Sequence, residues 1–186
     1  MRIQPVAYRY AQSLLDLALE RGQLKEVQAE MAMLADTCAK SEELRVLLKS
    51  PVVRADAKRK VLEKLFGAQL GKVTSTFIDV LVRKGREALL PDIGAAFLEL
   101  YRKHEHIVVC KVTTAVALTD TERQQVIAIT GKRFPGMTVQ LQERVDPAIL
   151  GGGIIQVGDL MWDASVKNKL NVIRRAFAVN PYVPQL

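Results

Sequence analysis

DPAILGGGIIQVGDLMWDASVKNKL, residues 146–170, sets the architecture of the C-terminal half. It opens with an Asp146-Pro147 turn and passes through three consecutive glycines, Gly151, Gly152 and Gly153. Glycines in a row cost backbone entropy. Either the chain takes positive φ there or another segment packs closely against it. Two short apolar runs follow, Ile154 to Val157 and Leu160 to Trp162, around Gly158-Asp159. Gly at the first central position suits a type II′ hairpin turn. Asp163 or Ser165 then caps a basic amphipathic helix, Val166 to Ala178.

Upstream, Ile107 to Leu118 is rich in β-branched residues and reads as a strand. Thr119-x-x-Glu122 is a capping box for a helix through about Arg133. Phe134-Pro135-Gly136 is a turn, and Met137, Val139, Leu141 and Val145 alternate with polar residues as in a half-buried strand. The tail, Asn180 to Leu186, carries Pro181 and Pro184 and is expected to be extended.

Before residue 106 the period is helical. A first helix runs from Pro5 to about Arg21, with Pro where its missing N–H does no harm. A second follows Gly22, its apolar positions Leu24, Val27, Met31, Leu34 and Cys38 stepping by three and four. Ser41 caps a third, Glu42 to Leu48, which Pro51 stops. A fourth, Arg54 to Phe66, is expected to bury Ala57, Val61, Leu62 and Leu65. A fifth runs from about Val73 to Lys84 and ends at Gly85; a sixth spans Pro91 to His106. The fold class is therefore α plus α+β: an N-terminal six-helix bundle, residues 1–106, followed by a small α+β domain, residues 107–186.

The chain has 186 residues and a net charge of +7. With 49% apolar and 25% charged residues it reads as a soluble globular protein. No apolar run approaches the ~18–20 residues of a spanning helix. The N-terminus lacks a secretory or transit pattern, so a bacterial-type cytoplasmic product is expected. The basic excess is spread over both halves, against the localised patch of a nucleic-acid binder. Two clusters stand out: Arg54, Lys58, Arg59, Lys60, Lys64, and Lys167, Lys169, Arg174, Arg175. Each reads as a solvated helix face, or else as a contact for an acidic partner or an anionic membrane surface. Cys38 and Cys110 lie singly in apolar patterns and are expected to be buried, reduced thiols.

Two helices carry apolar arcs wider than one core needs. On the first, Val6, Ala7, Tyr8, Tyr10, Ala11, Leu14, Leu15, Leu17, Ala18 and Leu19 sweep roughly 220° at 100° per residue. On the fifth, Phe77, Ile78, Val80, Leu81 and Val82 cover roughly 200°, where about 100° suffices for a surface helix. Either these are the most enclosed helices of the bundle, or they bury a second face against another molecule. In the second case small residues Ala7, Ala11 and Ala18 would floor a groove for an amphipathic helix.

No catalytic, cofactor or metal constellation is visible. Gly153-x-x-x-x-Gly158 is followed by Asp159 and Leu160 rather than Lys and Ser/Thr, so it reads as turn geometry and not as a phosphate loop. His104 and His106 fall at a helix end and suit its dipole better than a metal. Asp159 and Asp163 read as turn and cap residues rather than paired acid–base carboxylates. Met161 and Trp162 share a strand, so only one of them can face the core.

The 146–170 stretch resembles the C-terminal signature of the delta subunit of F-type ATP synthase, the bacterial relative of the oligomycin-sensitivity-conferring protein. Asp146, Pro147, Ile149, Gly152, Gly153, Val157, Gly158, Asp159, Asp163 and Ser165 meet the pattern; Ala164 stands where the family usually has Gly. Ala7-x-Arg9-Tyr10-Ala11-x-Ser13-Leu14 is similar to the family's opening. So is Phe77-x-x-x-Leu81-x-x-x-Gly85-Arg86, with Thr76 where Asn is common.

The resemblance implies a non-catalytic stator subunit without cofactor, metal or small-molecule ligand. It implies a monomer within a hetero-oligomeric complex, peripheral to the cytoplasmic face of the bacterial inner membrane. The helical domain would bind the alpha subunit of the alpha/beta catalytic head, in a groove of Ala7, Tyr8, Ala11, Leu15, Ala18, Phe77, Ile78 and Leu81. The C-terminal domain would bind the b-subunit peripheral stalk, with Lys167, Lys169, Arg174 and Arg175 as candidate contacts. The alternative is a basic nucleic-acid-binding protein, disfavoured by 5% aromatic content and the spread of charge.

Overall fold

The computed structural model describes residues 4–67 and 69–178. The expected extended tail, residues 180–186, lies outside them. The chain divides into two compact units at His104/Glu105, each with its own hydrophobic cluster. Among the described residues no helix is long and apolar enough to cross a membrane.

The first unit holds α1 (Pro5–Glu20), α2 (Leu24–Lys40), α3 (Glu42–Lys49), α4 (Ala55–Phe66), α5 (Lys72–Arg83) and α6 (Leu90–His104). Pro5 sits in the first turn of α1. The Ser41 side chain caps α3 by accepting from the Leu44 N–H. Gly85 takes positive φ after α5, as its position at a helix end requires.

The stripe of α2 is seated as its spacing predicts: Val27, Met31, Leu34 and Cys38 are buried and Leu24 packs beside them. Burial pushes the Cys38 thiol up from its ordinary value.

The most enclosed helix is α6, not α1 or α5. It packs on both α1 and α2 and buries Leu90, Ile93, Ala96, Phe97 and Leu100. Gly94 lets it approach closely: a Cβ there would lie 3.2 Å from the Ala35 Cβ on α2. A 3-10 turn, Glu87–Leu89, leads into α6. The helix stops at His104 rather than His106, because His106 adopts a left-handed φ of 52°.

Helix α4 is rotated from the expected face. Ala57 and Leu65 are exposed and Val61 only half-buried, whereas Lys58, Leu62 and Phe66 point inward. Lys58 therefore leaves the basic face to which its sequence neighbours assign it. Its Nζ donates to Glu87 Oε1 at 2.7 Å and to the Leu48 carbonyl at 2.9 Å. One buried ion pair thus joins α3, α4 and the turn before α6. Nearby, Arg59 is exposed enough to reach both Glu63 and Asp79, tying α4 to α5. From α2, Glu30 accepts the Gly71 N–H and puts a carboxylate at the N-terminus of α5.

The second unit is a four-stranded sheet, order β2-β1-β3-β4, with β1 (Ile107–Thr114), β2 (Thr138–Val145), β3 (Gly153–Val157) and β4 (Leu160–Asp163). β1 and β2 are parallel, with Ile107 opposite Thr138 and Thr114 opposite Val145. Parallel neighbours need a crossover, supplied by α7 (Asp120–Arg133). Both halves of the Thr119–Glu122 capping box form. β1 stops at Thr114 rather than Leu118, because β2 ends opposite it and Thr114 Oγ1 turns to donate to the Val116 carbonyl. In β2 only Val139 and Leu141 pack against the core; Met137 and Val145 are exposed. The core is small: Cys110, Val112 and Val157, flanked by residues such as Val126, Phe134 and Ile155. Arg123 pins α7 to β2 through a two-pronged contact with Glu143, at 2.6 and 3.1 Å.

Lys58→Met strands the Glu87 carboxylate in the core and is expected to cost about 3–5 kcal/mol. Lys58→Met with Glu87→Leu recovers most of it. Urea unfolding of the three proteins checks both, and a silent single variant would show that the pair carries no weight.

Candidate functional site

The 146–170 stretch builds the junction between the sheet and the last helix. Asp146 Oδ1 accepts the Ala148 N–H and shapes a 3-10 turn, Pro147–Ile149. At Gly152 both readings of the glycine run hold at once. Its φ is +71°, and a Cβ there would collide with the Ala164 carbonyl. Two backbone hydrogen bonds close the seam: Ala164 N–H to the Gly153 carbonyl and Val166 N–H to the Gly151 carbonyl, both 3.0 Å.

The hairpin turns at Gly158-Asp159, with Val157 opposite Leu160. Gly158 has φ +57° while Asp159 does not enter the positive-φ region, as a II′ turn requires. Of the two cap candidates, Ser165 caps α8 (Val166–Ala178), its Oγ accepting the Asn168 N–H at 3.1 Å. Asp163 instead accepts the Ser165 N–H at 2.9 Å and orients the cap. Hydrogen bonds from the Ser165 side chain and backbone hold the Asp163 carboxyl below the usual carboxylate range.

This junction launches α8 with an apolar face that its own unit leaves uncovered. Val166, Leu170, Ile173 and Phe177 are all exposed, Phe177 at 84%. Lys167, Lys169, Arg174 and Arg175 are exposed too, and none forms an ion pair with another described residue. The helix carries no acidic residue.

A second apolar area lies where α7 leaves β3 and β4 bare. Trp162 faces α7, pairing in register with Ile155, whereas Met161 points to the opposite sheet face. Both are exposed, at 41% and 64%. A cavity of about 290 Å³ is lined by Ile129, Thr130, Arg133, Phe134, Ile155 and Trp162. The Arg133 guanidinium sits 5.7 Å from the Trp162 ring centroid at its edge.

In the first unit the expected groove residues divide. Ala7, Ala11, Leu15, Ala18, Ile78 and Leu81 are buried in the unit's own core. Ala7, Ala11 and Ala18 have no accessible surface in the free chain, whereas Leu15, Ile78 and Leu81 keep 4%, 5% and 1%. Tyr8, at 37% exposure, and the half-buried Phe77 remain at the surface. The Tyr10 and Phe77 rings meet edge-to-face with centroids 6.5 Å apart, which joins α1 to α5. Val80 is exposed beside them, and Lys103 Nζ lies 6.0 Å from the Tyr8 ring centroid. Sequence periodicity found the wide arcs. It could not separate their core-facing from their free sectors, because α6 covers α1 from a distant part of the chain.

Among the described residues no three His, Cys, Asp or Glu side chains gather as a metal site would require. The arrangement offers surfaces for other molecules.

Known proteins share this architecture. A family model described as ATP synthase delta (OSCP) subunit matches residues 6–177. ATP synthase subunit delta of Cytophaga hutchinsonii is 37% identical over 177 residues, covering 95% of this chain and 96% of the relative. The chloroplastic ATP synthase subunit delta of Emiliania huxleyi is 36% identical over 174 residues, covering 93% of this chain and 96% of the relative. In fold, the chain is similar to one in the Toxoplasma gondii mitochondrial ATP synthase hexamer, with a TM-score of 0.70 at 23% identity, covering 95% and 99% of the two chains.

Gly152→Ala combines a left-handed φ with a collision against backbone, so it is expected to destabilise the second unit by at least about 1 kcal/mol. Thermal unfolding followed at Trp162 checks this. The Asp163 hydrogen bonds stabilise the α8 start above the ordinary carboxylate range and are lost as pH falls through the lowered folded value. The Ser165 amide resonance should follow that titration, and Asp163→Asn should abolish it.

Proposed function

The chain belongs to the ATP synthase delta (OSCP) subunit family, and from that premise we propose how its two units divide the work of a stator subunit. The first unit, read as a six-helix bundle, holds the alpha subunit of the alpha/beta catalytic head. The second holds the end of the b-subunit peripheral stalk. The protein performs no chemistry. It keeps the head from turning with the rotor, so torque from proton flow goes into ATP synthesis. The complex places it, as a single copy, at the cytoplasmic face of a bacterial inner membrane.

The observation that carries this reading is the uncovered apolar and basic face of α8, in a second unit where Gly152, Asp163 and Ser165 fix its start. At the other end, the α1 and α5 contact of Tyr10 and Phe77, with Tyr8 and Val80 exposed, offers a surface for an amphipathic helix. Each interface can be modest. Tethering two binding units makes the second contact effectively intramolecular, so the attachments multiply rather than add. The nucleic-acid alternative lacks support. Lys58 is withdrawn from the basic face of α4 into a buried pair.

Removing the subunit from membranes is expected to abolish ATP-driven proton pumping, and adding it back to restore it. Pumping undiminished without the subunit would overturn the proposal. A peptide of the alpha subunit's N-terminal helix is expected to shift α1 and α5 resonances selectively, around Tyr8, Phe77 and Val80. A shift map centred on α2 and α3 would place the head contact elsewhere.

A further inference from the structure

We propose that the cavity between α7 and the β3–β4 hairpin binds a small organic carboxylate with an apolar body, a medium-chain fatty acid. The family resemblance implies no such ligand. The proposal rests on the cavity and does not depend on which partners the two units hold.

Both layers of the second unit build the site. Ile129, Thr130 and Arg133 come from the end of α7 and Phe134 follows them, while Ile155 and Trp162 face them from paired positions on adjacent strands. Thr130 is almost fully buried, with its hydroxyl 3.5 Å from the Cys110 sulfur. The Arg133 guanidinium is the one charged group lining the cavity. It forms no ion pair with another described residue. The Trp162 ring, 5.7 Å away at its centroid, holds it at the rim. A guanidinium beside an apolar hollow matches a planar carboxylate, gripped by two parallel hydrogen bonds, with an apolar remainder.

Volume selects the size of that remainder. The cavity measures about 290 Å³. At the ~30 Å³ that a water molecule occupies in the liquid, it admits roughly ten non-hydrogen atoms, the count in octanoate. A nucleotide is larger and would bring several charges to one cation. The neighbouring cavity sets the direction. It shares Ile129 and Ile155, and the charged residue lining it is Glu122, whose carboxylate is already engaged with Thr119. A carboxylate is therefore drawn to the Arg133 end and its tail points toward the start of α7. The negative end of the α7 dipole, about half a charge, opposes an anion there. Two cations in that last turn, Lys132 and Arg133, outweigh it.

Trp162 is the only tryptophan of the chain, so its fluorescence reports on this cavity. The full-length chain is titrated with octanoate, octanol and octylammonium. Octanoate is expected to shift the emission saturably, with half-saturation below about 1 mM. Octanol should bind at least about tenfold more weakly, and octylammonium more weakly still. Arg133→Gln should make octanoate and octanol equal, and Ile129→Asp should weaken octanoate at least about tenfold. Both side chains are exposed, so unfolding midpoints should stay unchanged. The comparison of octanoate with octanol on the parent chain stands whatever the variants do. Octanoate that leaves the emission unchanged, or binds no better than octanol, overturns the proposal. So does an Arg133→Gln chain that keeps the preference. Emission shifted by the purified soluble part of the b-subunit stalk but not by octanoate would assign the cavity to that partner and overturn the ligand.

Discussion

A single backbone approach sets the form of the second unit: Gly152 against the Ala164 carbonyl. No side chain larger than hydrogen fits there, and the left-handed φ of 71° excludes most residues independently. Around that contact the chain closes on itself through the Ala164 and Val166 amides. Consequently the end of β4 and the beginning of α8 are fixed to the glycine run that leads into β3. The cap at Ser165 is then almost fully buried, at 2% exposure, although α8 beyond it is free. A helix with an exposed apolar face thus starts from a hydrogen-bonded base. That combination suits a part that transmits force.

The first unit meets a related demand by different means. Its helices are short, and short helices draw their stability from tertiary packing rather than from propensity. Gly94 lets α6 sink against α2, and small Ala residues let α1 lie flat on it. The cross-ties are polar and join residues 20 to 41 positions apart: Lys58 to Glu87, Arg59 to Asp79, Glu30 to the Gly71 amide. The buried Lys58–Glu87 pair adds little by being present, since desolvation offsets the attraction. Its weight lies in what its absence would leave, a charge stranded in an apolar core. Such a contact penalises alternative packings of α3 and α4 more than it stabilises the native one.

Local rules made the second unit readable and distant contacts hid part of the first. The capping box at Thr119, the hairpin at Gly158-Asp159 and the Ser165 cap each depend on neighbours within a few residues, and each forms as those neighbours dictate. Strand Ile107–Thr114 ends short of its β-branched run because the length of β2 sets the ladder, not propensity. Helix α4 turns a different face inward because a lysine with a buried partner behaves as a core residue, and Glu87 is 29 residues away in sequence. The wide arc of α1 was visible as a period. That α6 would consume Ala7, Ala11 and Ala18 was not, since nothing in α1 records what covers it. The basic cluster on α8 is equally visible in the sequence, but what covers its apolar residues is not. A hydrophobic stripe looks the same in sequence whether its own domain or another molecule covers it.

That ambiguity bears on how a stator could grip. A contact under repeated torque must resist dissociation, and across variants of one interface affinity changes lie chiefly in the off-rate. Charges at a rim act mainly on the on-rate and fade with salt. Buried apolar area acts on the off-rate and does not fade. On α8 the cations Lys167, Lys169, Arg174 and Arg175 stand beside exposed apolar residues, Val172 among them.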